Sequence, residues 1–233
     1  MALGDPLEFD HWAEQYDACV HESHGFPFDG YDLVLRRAVA LAAAGPSNSV
    51  LDLGIGTGNL ASHFVALGCQ VRGLDFSQKM LGLAQARLPG VPLGLADILG
   101  SWPREFCRRY DRIVSAYVFH HFEQAEKVDF LLRLSREYSA GSGRIVVADI
   151  AFPSLAALDQ ARVRWADSWD EEHYWVVDRD IAACEQVGFQ IRYEPVMEFA
   201  GVFVVQPPSS TRAAGQLPPT LGGPRGGAQP GSG

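Results

Sequence analysis

One stretch constrains this chain more than any other: Val50-Leu-Asp-Leu-Gly-Ile-Gly-Thr-Gly-Asn59. Ser49 to Leu53 is a short apolar run, the pattern of a buried strand. Glycines 54, 56 and 58 then end it. Glycine lets the backbone turn tightly, and it lets a ligand approach the amide groups at a helix N-terminus. A helix follows from Asn59 to Leu67, with Leu60, Phe64 and Leu67 on one face and Gly68 at its end. A dinucleotide-binding turn reads G-x-G-x-x-G. Here the third glycine comes one residue early, at Gly58, and Asn59 holds the expected place. That spacing disfavours an NAD-type oxidoreductase on a similar sheet. An ordinary glycine-rich turn between strand and helix is the plainer alternative.

Strand and helix patterns alternate beyond the loop. Strands are expected at Gln70–Leu74, Val91–Ala96, Arg112–Tyr117 and Gly143–Ala148, the second of these near a sheet edge because it holds a proline and a glycine. Helices are expected from the N-cap Ser77 to Leu88, over Glu123–Tyr138, and over Asp180–Gln186. Phe189–Tyr193 and Phe199–Val205 read as a closing antiparallel pair, and Phe9–Val20 and Tyr31–Ala44 as additional helices ahead of the first strand. Repeated βα units imply a Rossmann-like α/β fold, a mostly parallel sheet with helices on both faces. The expected domain is 1–206, with a helical cap over about 5–45. Residues 207–233 are rich in Pro, Gly, Ser and Thr and predict a disordered tail.

Three acids stand at three successive strand ends. Asp52 precedes the glycine loop, Asp75 follows the second strand, and Asp97 closes the third. An acid about 20 residues beyond the loop takes the ribose hydroxyls in dinucleotide folds, and Asp75 has that position. Asp97 is placed to accept from an adenine amino group. Either aspartate alone reads as a loop residue or a helix cap; together with the loop they form a nucleoside-binding pattern.

From Phe9 to about Val205 the chain resembles the class I S-adenosylmethionine-dependent methyltransferases, and within them a group of small bacterial members of unassigned substrate. The loop G-x-G-x-G preceded by Asp52 carries the wider resemblance. Phe9-Asp-His-Trp-Ala-Glu-Gln-Tyr-Asp17, Ile113-Val-Ser-Ala-Tyr-Val-Phe-His-His-Phe122 and Ile145-Val-Val-Ala-Asp-Ile-Ala-Phe152 narrow it. The resemblance implies that Gly54, Gly56, Gly58 and their neighbours hold the methionine part, Asp75 the ribose, and Asp97 with the Ile98 backbone the adenine. The expected cofactor set is thus Asp52, Gly54, Gly56, Gly58, Asp75, Phe76, Asp97, Ile98 and Ser115. It also implies an N-terminal helix folded over S-adenosylmethionine, with Tyr16 near the sulfonium. The segment from Pro103 to Arg109 does not align with the family.

Methyl transfer is an in-line displacement in which orientation supplies much of the catalysis. A base is needed only where the acceptor must lose a proton. His120 and His121 follow the fourth strand, at the edge where open α/β sheets bind ligands. One of them is a candidate base or orienting donor; packing, or capping of the next helix, is the alternative. Alternation along the strand favours His120, and consecutive residues there do not easily both face a site. No metal site is expected from the pair, because no third ligand has clear spacing. Trp165, Trp169, Tyr174 and Trp175, with His173 among them, suit either an acceptor wall or a lid packing its own aromatics. His21, Glu22 and His24 read as a solvated linker or as part of the same mouth.

The bulk properties limit partners. Net charge is -9 and the pI about 5.2, an acidic balance that argues against a polyanion such as nucleic acid. No apolar run reaches membrane-spanning length, and the first ten residues lack a signal-peptide pattern. The four cysteines, 19, 69, 107 and 184, form no C-x-x-C pair, which suits reduced thiols in the cytoplasm. The functional expectation is an enzyme methylating a small molecule; the alternative is a non-catalytic regulatory protein that binds S-adenosylmethionine.

Overall fold

The structure is a computed structural model that describes residues 6–22 and 25–206. The expected tail at 207–233, and His24, lie outside the described residues.

Seven strands order as β3-β2-β1-β4-β5-β8-β7, and a two-residue strand, β6, pairs with β5. Their ranges are β1 Ser49–Leu53, β2 Gln70–Asp75, β3 Leu93–Leu95, β4 Tyr110–Ala116, β5 Ser139–Phe152, β6 Trp175–Val176, β7 Gln190–Met197 and β8 Ala200–Gln206. All pairings are parallel except those of β8, which runs antiparallel to β5 and to β7. The expected mostly parallel sheet is therefore present, and its antiparallel member is inserted between two parallel strands. β3 lies at a sheet edge, as expected from Pro92 just before it and Gly94 within it.

The helices are α1 Pro6–Glu22, α2 Tyr31–Ala42, α3 Asn59–Ala66, α4 Gln78–Arg87, α5 Gln124–Arg133, α6 Leu155–Arg164 and α7 Val177–Gln186. Side-chain alternation on the strands builds two cores. Val50, Val146, Ala148, Ile150, Val202 and Val204 face the layer of α2 and α3. Leu51, Leu53, Ile145, Val147, Phe203 and Val205 face the layer of α5 and α7. This is the period-2 consequence of strands covered on both faces.

Three elements depart from the sequence expectation. β5 starts at Ser139, before the expected Gly143, and runs past Ala148 to Phe152; the charge of Asp149 hides the latter extension in sequence, yet the residue is fully buried. The helix expected to reach Tyr138 is α-helical to Arg133 and then a π turn over Leu134–Tyr138. α6 has no expected counterpart; it buries none of its residues, so no apolar face betrays it.

Candidate active site

The glycine loop leaves β1 at Leu53 and is held down by its neighbours. Gly54 N and Ile55 N both donate to Leu74 O of β2, at 2.8 and 3.0 Å. Gly54 has φ +68°, and a Cβ there would meet Val118 Cγ2 at 2.4 Å. Gly56 has φ +54°, yet a Cβ there would meet nothing within 4 Å. The first glycine is therefore needed for packing, whereas the second opens onto space at the mouth of the loop. Gly58 is the N-cap of α3.

The acids are not equivalent. Asp75 is buried; it accepts from Gly56 N at 2.8 Å and Ser77 N at 2.9 Å. It ties the loop to the start of α4, a structural duty that the sequence did not reveal. Asp97 is exposed and accepts from Leu99 N at 2.9 Å, beside buried Ile98. Asp52 is buried, its oxygens meet no donor at full hydrogen-bond geometry among the described residues, and the backbone N–H of Ala61 is the donor that comes near. Burial, with Asp75 nearby, pushes its carboxyl well above the usual range. A buried carboxyl without a full hydrogen bond is costly and needs an explanation. Phe76 is half-buried at the same rim. Ser115 is buried; its hydroxyl donates to Leu53 O at 2.7 Å and braces the strand end from which the loop departs.

α1 closes over this mouth through one residue. Asp17 accepts from Thr57 Oγ1 at 2.7 Å and from Asn59 Nδ2 at 3.1 Å, and it pairs with Arg87 at 2.5 Å. Burial works against the Asp17 charge, but the hydrogen bonds from Thr57, Arg87 and Asn59 outweigh it and lower its pKa. Tyr16 hydrogen-bonds Tyr31, and burial raises its phenol well above the usual value.

The acceptor edge begins where β4 ends. Tyr117 has φ +56°, rare for a residue with a side chain, and its buried hydroxyl has no partner among the described residues. Its ring stacks on Tyr31 at 5.1 Å. Residues Phe119–His121 form a 3-10 turn, so the strand alternation used to choose between the histidines does not extend to them. His120 Nδ1 lies 2.6 Å from Asp149 Oδ1, and His120 N donates to Asp149 Oδ2 at 2.9 Å. Ile150 N and Trp175 Nε1 donate to the same carboxylate at 2.9 and 3.2 Å. Burial opposes the Asp149 charge, but the His120 charge, the hydrogen bonds from the His120 ring and Ile150 N, and the charge of Lys127 hold its pKa below the usual value. His121 Nδ1 lies 3.0 Å from Glu172 Oε2. The two imidazoles are 4.2 Å apart, so consecutive histidines do reach one place, contrary to the expectation; a tight turn, unlike a strand, allows it.

The four aromatics, expected as an acceptor wall or as a lid packing its own aromatics, divide. Trp165, Trp169 and Tyr174 join Phe26 and Phe152 on the α2 side. Trp175 packs in the other core, stacked on Phe203 at 4.3 Å with Lys127 Nζ 4.9 Å from its ring. His173 is exposed and lends backbone, its N–H donating to His120 O at 2.8 Å. His21 and Glu22 are exposed; His21 pairs with Asp32 of α2 at 3.1 Å. Asp17, Tyr117, Asp149 and Glu172 were not singled out from sequence. The positive φ and the long-range pairings that mark them leave no local trace. A separate hollow between Ser49, Arg72, Arg108 and Tyr110 lies at the opposite ends of the strands and holds none of the expected residues.

Comparison with known proteins fits this geometry. Residues 50–141 match a family described as a methyltransferase domain. An uncharacterized methyltransferase of Geobacillus kaustophilus is 32% identical over 205 residues, covering 83% of this chain and 93% of that protein. One of Anoxybacillus flavithermus is 30% identical, covering 82% and 92%. Among solved structures, a DhpI complex with S-adenosylhomocysteine superposes with TM-score 0.65 at 19% identity, covering 87% of this chain and 95% of that one. Magnesium protoporphyrin IX methyltransferase from Synechocystis gives 0.63 at 16% identity, covering 86% and 99%. The chain belongs to this methyltransferase family. It is an S-adenosylmethionine-dependent enzyme on the class I sheet. Among the described residues no helix is long and apolar enough to cross a membrane.

Proposed function

We propose that this enzyme methylates a small molecule at the carboxyl edge of β4, with S-adenosylmethionine seated on the glycine loop. The observation that carries the cofactor placement is Asp52: a buried carboxyl with no side-chain donor, only the Ala61 N–H near it, beneath a loop that opens at Gly56. A cationic ammonium of the methionine part suits that carboxyl, with Ser115 bracing the strand end behind it. Gly54 and Gly58 shape the turn; Asp75 and Phe76 suit the ribose side, and Asp97 with Ile98 the adenine. When bound, the cofactor supplies an electrophilic methyl group on sulfur. Tyr16 and α1, held by Asp17, cover it and exclude water.

On the acceptor side, Tyr16, Phe28, Tyr31 and Tyr117 provide aromatic walls around the Tyr117 hydroxyl. Such walls suit a planar or apolar small molecule. Asp149 is saturated with donors, so His120 keeps its proton on Nδ1 and presents an electron pair at Nε2. That nitrogen takes the acceptor's proton, and Asp149 stabilises the imidazolium that results. Orientation supplies the remainder of the rate. A panel of hydroxyl, thiol and amine acceptors, assayed for S-adenosylhomocysteine formation, tests this. Turnover with a small acceptor supports it. Cofactor binding without turnover on any acceptor of the panel would count against a small-molecule acceptor.

A further inference from the structure

The turn after β4 holds more than a base. His120 and His121 can each offer one ring nitrogen, Nδ1 or Nε2, and Glu172 a carboxylate oxygen, and one such atom from each residue lies within 4.8 Å of the others. His121 Nδ1 and Glu172 Oε2 are 3.0 Å apart. Two ligands of a tetrahedral zinc ion, with bonds of about 2.1 Å, stand about 3.4 Å apart. Reaching that spacing changes no pair distance in the set by more than about 1.4 Å. A second observation is independent of the cluster. Asp149 receives His120 Nδ1 at 2.6 Å and three further donors, which fixes the imidazole and leaves Nε2 as its coordinating atom. Metal-ligating histidines commonly rest their other nitrogen on a carboxylate in this way.

We propose that His120, His121 and Glu172 bind a zinc-type divalent cation at the acceptor edge. Two imidazoles and one carboxylate suit zinc or its borderline neighbours; magnesium and calcium want oxygen ligands. Three protein ligands leave a fourth position open. Glu172 sits in the segment between α6 and β6, so the cation would join that segment to the turn after β4.

The consequence for chemistry rests on the acceptor reading above; the binding itself does not. With the cation in place, the His120 Nε2 pair is committed to it. An acceptor hydroxyl or thiol in the fourth position then loses its proton to solvent because the cation lowers its pKa. Aspartate 149 becomes the support of a ligand instead of the partner of a base.

Cobalt(II) tests binding without any assay of turnover. The full chain, stripped with a chelator, is titrated with cobalt and followed by visible absorption. One equivalent should give the intense bands of a four-coordinate site, and zinc should displace them. Glu172→Gln, which keeps shape at a half-exposed position, should weaken the signal about tenfold or more, and His121→Ala likewise. Asp149→Asn should weaken it about 10–100-fold, the usual effect of removing a ligand's support. Retained binding of S-adenosylhomocysteine in the Glu172 and His121 variants shows that they are folded. Absence of the bands, or equal cobalt affinity in Glu172→Gln and His121→Ala, overturns the proposal. Either result leaves the cofactor reading standing, because that reading fails only if S-adenosylhomocysteine does not bind.

Discussion

Asp149→Asn is the substitution whose effect follows most directly from the geometry. The carboxylate accepts four hydrogen bonds: His120 Nδ1 and Ile150 N on Oδ1, His120 N and Trp175 Nε1 on Oδ2. An asparagine amide has one oxygen. Whichever way it turns, its NH2 faces two buried donors. If it faces the Oδ1 pair, His120 can move its proton to Nε2 and accept at Nδ1, but Ile150 N stays unpaired. If it faces the Oδ2 pair, His120 N and Trp175 Nε1 are both orphaned. One or two unpaired buried donors, at about 1–3 kcal/mol each, predict a loss of about 1–6 kcal/mol in urea unfolding at pH 7. The folded Asp149 has a depressed pKa. Its stabilisation is therefore present above the unfolded value of about 3.9, and is lost as pH falls through the folded pKa. The difference between wild type and variant should shrink in acid. The first amide orientation also moves the proton to Nε2 and removes the base, so turnover should fall about 10²–10⁴-fold. Nitrogen NMR of His120 reads the tautomer directly. Unchanged stability together with an unchanged tautomer and rate would refute the reasoning.

Other substitutions probe the cofactor side. Asp75→Ala should weaken S-adenosylhomocysteine binding by about 1.5–3 kcal/mol, read by calorimetry. It should also lower stability, because Gly56 N and Ser77 N lose their acceptor; unchanged affinity would remove Asp75 from the site. Asp52→Asn should weaken the cofactor and stabilise the cofactor-free chain. The raised folded pKa means that wild type loses stability as pH rises from about 3.9 through that value, and the variant does not. Urea midpoints that run parallel with pH would contradict this. Gly54→Ala adds a Cβ 2.4 Å from Val118 Cγ2 at a positive φ, and should lower the melting temperature with a loss of at least about 1 kcal/mol. Gly56→Ala meets no atom within 4 Å and should lose less stability at the same assay.

The fold was legible because its signals are local. The glycine loop, the Ser77 N-cap and the apolar runs of β1, β2 and β4 each announce themselves within ten residues, and the structure repeats them closely. What was lost lacks such a signal. α6 buries no residue, and Asp149 disguises the length of β5 by placing a charge in an apolar run. The acceptor edge depends on contacts across the chain. Asp149 is 29 residues from His120, and Glu172 is 51 from His121. No periodicity links such residues, so spacing could not bring Asp149 and Glu172 to the histidines. The backbone of Tyr117 turns to positive φ and ends the alternation that the choice between histidines used. The aromatics at 165–175 read as one cluster, wall or lid, because they are close in sequence, yet β6 turns Trp175 to the opposite face from Tyr174.

The central claim, a nucleoside cofactor seated on the loop from Gly54 to Gly58 under α1, has a direct test. Calorimetry of the full chain with S-adenosylhomocysteine, run beside NADH and repeated with Asp17→Ala and Asp75→Ala, measures it. One equivalent of S-adenosylhomocysteine should bind the wild type and both variants should bind it more weakly, since Asp17 holds the cover and Asp75 the loop. NADH should give no heat of binding. Saturable binding of NADH with none of S-adenosylhomocysteine would contradict the account.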